Sequence, residues 1–176
     1  MPLLGECAET AKSAATNAVH PVMTWVPPYA VGTCRARLAE SFGGLGMKDA
    51  LTHLGLQFWV PTRAGGLARV GRAGDTGDAS VTAFRDWGRT NGVRVLLCVY
   101  NGEHSWDWPL AKAAFATQRE SFIAALLAEV TRLQLDGVDV DLEGTSEFEK
   151  DRAAYVAFIR ELSARLHAAG RQLTVD

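Results

Sequence analysis

Short runs rich in β-branched and aromatic residues alternate with helical runs four times along this chain, and a fifth β-rich run follows. This alternation constrains the fold more than any other feature, because consecutive parallel strands need a helical crossover between them. The β-rich runs fall at residues 21–26, 54–60, 93–100, 138–143 and 172–175. Pro27 and Pro28 stop the first and Pro61 the second. Helices are predicted over 34–42, ended by Gly43-Gly44, and over 79–89, with Asp78 as N-cap and Asn91-Gly92 as the stop. The third helix has the cleanest period, with Phe122, Ile123, Leu126, Leu127, Val130 and Leu133 on one face. A fourth, over about 147–169, buries Tyr155, Ile159, Leu162 and Leu166 and ends at Gly170. Residues 64–77 read as a flexible glycine-rich loop, and residues 1–20 as a loose Ala/Thr/Ser-rich lead-in to one domain over 21–176. Two parallel α/β architectures satisfy the pattern: a five-stranded open sheet, or the first five strands of a (β/α)8 barrel. A complete barrel needs roughly 200–250 residues, so the 176 present favour the open sheet.

The run around LDGVDVDLEG changes that preference. Alternate residues of a strand point to opposite faces, so Val138, Val140 and Leu142 face covering helices while Asp139, Asp141 and Glu143 share the other face. Neighbours on that face stand roughly 6.5–7 Å apart. Three carboxylates on an interior face are unfavourable unless they share protons or bind something. At least one is therefore expected to hold its proton near neutral pH, as general-acid chemistry requires. Two other readings fit the same residues: a solvated edge strand, and a carboxylate site for a divalent metal. Helical runs on both sides place the strand inside the sheet and disfavour the edge.

Spaced as DGxDxDxE, Asp136, Gly137, Asp139, Asp141 and Glu143 resemble the signature of glycoside hydrolase family 18, the chitinases and related endo-β-N-acetylglucosaminidases. Five fixed positions recur by chance in such a chain with a probability on the order of 10⁻⁴. Thr52-His53 running into LGLQF resembles the family's second strand, and RQLTV at 171–175 its fifth. The resemblance implies the barrel, truncated after its fifth strand. It also implies substrate-assisted retaining hydrolysis of β-linked N-acetylglucosamine, an exception to the two-carboxylate scheme. By similarity Glu143 would be the proton donor, Asp141 would hold the substrate acetamide, and Asp139 would share a proton with Asp141. Asp136 and Gly137 would be structural. The alternatives are a non-catalytic, lectin-like relative and an inactive fragment. Two departures stand out: Leu142 and Gly144 where many chitinases carry aromatic residues, and Cys98-Val99-Tyr100-Asn101-Gly102 where the third strand usually ends Ser-x-Gly-Gly.

Aromatic residues near strand ends, Trp25, Tyr29, Trp59, Trp106 and Trp108, form a candidate sugar-binding rim, although Trp106 and Trp108 could equally pack beneath their loop. Glu103, His104 and Asp107 match no metal spacing. No nucleotide-binding glycine pattern occurs, so no cofactor and no metal are expected. With 18 Lys and Arg against 20 Asp and Glu, the chain offers no footprint for nucleic acid or a charged membrane. A carbohydrate is the expected partner, together with self-association through open strand edges. The odd count of Cys7, Cys34 and Cys98 argues against a disulfide framework, a Cys7–Cys34 pair being open to an exported protein, and no basic-then-apolar leader is visible, so a cytoplasmic location is the default expectation.

Overall fold

The computed structural model describes residues 20–102, 106–144 and 148–176; the expected lead-in and Cys7 lie outside them. Five parallel strands form the frame: β1 Met23–Val26, β2 His53–Pro61, β3 Arg94–Tyr100, β4 Gly137–Asp141 and β5 Gln172–Val175. They lie side by side in chain order, each pairing with the next. The longer helices between them are α1 Val31–Ala39, α2 Asp78–Asn91, α3 Arg119–Leu133 and α4 Phe148–Ala168.

The two faces of the sheet differ sharply. Leu97, Val99, Val138 and Val140 join Phe84, Phe122, Ile123, Leu126, Phe158 and Leu162 in one core between strands and helices. The opposite face carries polar side chains that meet across the inside, skipping intervening strands. Trp25 on β1 donates to Asp139 on β4, Gln57 on β2 to Asp141 on β4, and His53 on β2 bonds Gln172 on β5. An open sheet covered on both faces has no room for such bonds. The sheet curls around a polar interior as a barrel does, with five parallel strands described.

Two residues of the acidic run make that curl possible. Asp136 accepts the Val95 N–H at 2.8 Å and lies 3.6 Å from Arg94, tying the start of β4 to β3. A Cβ at Gly137 would stand 2.1 Å from the Gln172 carbonyl oxygen, so only glycine lets β5 pair there.

Several expected boundaries move. The first helix begins at Val31 and stops at Ala39, because Glu40 is extended and Ser41–Phe42 pairs with Leu45–Gly46 around Gly43 and Gly44, both left-handed. Residues 64–77 are ordered rather than a loose loop. Leu67–Arg69 pairs antiparallel with the end of β2, and the Thr76 hydroxyl closes the short helix Ala73–Thr76 onto the Val70 carbonyl at 2.6 Å. Gly77, not Asp78, is the N-cap of α2; Asp78 instead pairs with Arg132 and Arg69. A helix over Trp108–Lys112 with a π-helical turn at Ala113–Thr117, unforeseen in the sequence, leads into α3. Among the described residues no helix is long and apolar enough to cross a membrane.

Candidate functional site

β4 delivers its acids to the inner face near the C-terminal ends of the strands. Asp139 is 1% exposed, and both its oxygens are occupied: Oδ2 accepts from Trp25 Nε1 at 2.9 Å and Oδ1 from Thr174 Oγ1 at 2.5 Å. The buried Cys98 thiol also bonds to it; burial first, then the Asp139 charge, pushes that thiol well above its ordinary value.

Asp141, one layer up, is 4% exposed. Its Oδ2 accepts from Gln57 Nε2 at 2.7 Å, while Oδ1 is buried and finds no donor among the described residues. Burial pushes the Asp141 carboxyl up to about 6; the Gln57 hydrogen bond opposes this, and the nearby Glu143 and Asp176 carboxylates reinforce it. The two aspartates do not hydrogen-bond to each other. Asp139 takes its hydrogen bonds from Trp25, Thr174 and Cys98 instead. Asp141 faces the next acids instead: oxygens of Asp141, Glu143 and Asp176 all lie within 4.8 Å of one another. These three are also the described residues close enough together to hold a cation.

Glu143 lies past the last backbone pair of β4, Tyr100 with Asp141, and its side chain is exposed. Its backbone is gripped on both sides by the Asn101 amide, which accepts the Glu143 N–H at 2.8 Å and donates to its carbonyl at 2.7 Å.

A cleft of about 780 Å³ opens beside the acids, lined in part by Tyr29, Gln57, Arg72, Tyr100 and Trp106. Tyr29 (89% exposed) and Trp106 (43%) line it. The other three aromatics do not. A register irregularity between Leu56 and Trp59 turns the Trp59 indole to the helix side, where it is 2% exposed, stacks under Arg69 at 4.2 Å and donates to Glu129. Trp108 packs beneath its loop against Phe115 and Gly144, its N–H held by Asp151 at 3.0 Å. Trp25 is spent on Asp139. Asp107 caps the helix that follows it through the Leu110 N–H, while Glu103 and His104 lie outside the described residues.

Sequence reasoning missed Gln57, Thr174, Asn101 and Asp176. A polar residue at an inward position of an apolar strand was the available signal for Gln57 and Thr174.

The sequence profile of glycosyl hydrolases family 18 matches residues 40–175. No curated protein sequence matches the chain significantly. Among solved structures, it is similar to a chitinase from Chromobacterium violaceum, at 23% identity and a TM-score of 0.71, over 89% of this chain and 45% of that one. The chitinase ChiB of Flavobacterium johnsoniae matches at 22% identity and a TM-score of 0.64, covering 88% and 45%. The spore cortex-lytic enzyme SleL of Bacillus cereus matches at 19% identity and 0.65, covering 87% and 33%. The chain thus spans less than half the length of these relatives.

Proposed function

The chain belongs to glycosyl hydrolase family 18, and from that premise we propose that it carries the acids of a retaining, substrate-assisted hydrolase of β-linked N-acetylglucosamine. Glu143 gives its proton to the glycosidic oxygen. The substrate's own acetamide oxygen attacks the anomeric carbon as the bond to the leaving group breaks, and an oxazolinium ring forms. Water then opens that ring, with Glu143 taking the proton back. Asp141 accepts the acetamide N–H and balances the charge that develops on the ring. Asp139, held by Trp25 and Thr174, supports Asp141 from below.

One observation carries this reading: the buried Oδ1 of Asp141, without a partner among the described residues, beside the exposed Glu143 carboxylate. A buried oxygen without a donor awaits one, and an acetamide N–H is such a donor. Glu143→Gln should lower the release of chromophore from an N,N′-diacetylchitobioside by roughly 10²-fold or more while substrate still binds. A variant retaining more than a few per cent of the rate would sink the assignment. Asp141→Asn should be selective, slowing substrates that need acetamide participation and sparing those that do not. Activity should survive EDTA; loss on chelation and return with a divalent cation would revive the carboxylate-metal reading.

A second reading is a carbohydrate binder without turnover, to which the exposed Tyr29 and Trp106 at the cleft are suited. Titration of the chain with chitobiose in which binding appears and hydrolysis does not would select it.

A further inference from the structure

We infer that Asn101 is a positioning residue for Glu143: its buried amide extends the β3–β4 ladder beyond the last backbone pair and sets the direction in which the Glu143 carboxylate leaves the strand. This rests on the reading of Glu143 as proton donor. Backbone pairing of β3 with β4 ends at Tyr100 and Asp141, so the chain at Glu143 would otherwise be free to turn. Asn101 is 1% exposed and presents a donor and an acceptor side by side, as a peptide group does. Both are used on the same residue, Nδ2 to the Glu143 carbonyl at 2.7 Å and Oδ1 from the Glu143 N–H at 2.8 Å. Asn101 is itself anchored, because its carbonyl accepts the Asp107 N–H at 2.9 Å.

The other flank of Glu143 is pinned by packing. A Cβ at Gly144 would lie 2.8–3.2 Å from ring atoms of Trp108, so the backbone rests directly on the indole. That indole is held by Asp151, and Asp151 by Lys112 at 2.7 Å. By contrast, no arginine or amide side chain among the described residues is hydrogen-bonded to the Glu143 carboxylate, which faces the Asp141 carboxyl. Among the described residues, Asn101 is the side chain that fixes the backbone carrying Glu143. The two sequence departures from the family pattern therefore belong together: Asn101 and Gly144 bracket the proton donor.

The test is a double-variant cycle on the 176-residue chain, following the Asp141 carboxyl by carbon NMR as pH is varied. Glu143→Gln should lower the Asp141 midpoint by removing a neighbouring charge. Asn101→Ala should lower it too by letting that charge swing away, and the double variant should go no lower than Glu143→Gln. An unmoved midpoint in Asn101→Ala, or an equal further drop on top of Glu143→Gln, would overturn the inference; Asn101→Ser, uncharged and smaller, replaces the alanine variant if that fails to fold. Where turnover is measured, Asn101→Ala should lower kcat roughly 10²-fold on a glycoside with a weakly acidic leaving group, with KM changed by less than about threefold. A dinitrophenyl glycoside, whose leaving group departs without a proton, should be spared. Equal loss on both would reduce Asn101 to a structural role. Wild-type rates on both in Glu143→Gln would instead refute the proton-donor reading and leave the Asp141 titrations to decide on Asn101.

Discussion

Asp141 is where the interior's electrostatics become measurable. Its carboxyl rises from 3.8 to about 6, chiefly through burial, so the folded chain binds this proton more tightly than the unfolded chain. The stability that this proton contributes is complete below about pH 4 and is lost as pH climbs through about 6. Asn at this position is neutral throughout. Relative to the native chain, Asp141→Asn should therefore melt at a higher temperature near pH 8 than its offset near pH 4 would suggest. Equal offsets at the two pH values would mean that Asp141 ionises in the folded state as it does in water. The same proton matters for chemistry, because an acid that titrates near neutrality can exchange it with a neighbour during turnover.

At the scale of elements, β4 was the most legible part of the sequence because its message is local. A period of two puts valines on one side and acids on the other, and nothing distant can change that. The end of the strand was not legible. Pairing stops at Asp141 because β3 stops at Tyr100, and Glu143 keeps its place through Asn101, 42 residues away. Trp59 was misjudged for a related reason, since one irregularity in register inverts the side on which every later residue falls. For Trp108 the sequence fits a rim and packing beneath the loop equally, and the helix that it begins decides for packing. Gly137, by contrast, was expected to be structural, and its reason is steric. Gly137→Ala would drive a methyl group into the Gln172 carbonyl and separate β4 from β5. Its unfolding free energy in urea should fall by about 3 kcal/mol, with the far-ultraviolet spectrum losing strand signal. An unchanged midpoint would show that β5 can shift aside without penalty.

At the scale of the whole sheet, the decisive feature is that two edges of the curl have no partner strand among the described residues. Among the described residues β1 pairs only with β2, and β5 only with β4. In a closed barrel each strand has two neighbours, and closure removes the edges on which other chains can add. No described strand covers the outer edges of β1 and β5, and Val22, Trp25 and Val175 beside them are 46%, 36% and 46% exposed. Exposed edge backbone flanked by apolar side chains favours pairing with a second copy, and the −2 net charge provides little repulsion. We therefore expect the 176-residue chain to associate as its concentration rises through the micromolar range, with the average mass from sedimentation equilibrium climbing accordingly. Lysine at Val22 or Val175 should weaken that association by placing charge on the edge, as natural edge strands do. Amide exchange should report the same event, with β1 and β5 gaining protection in the associated state while β3, already paired on both sides, does not change. A chain that stays monomeric to millimolar concentration, with β1 and β5 exchanging as slowly as β3, would mean that the edges are covered in a way this sheet does not predict.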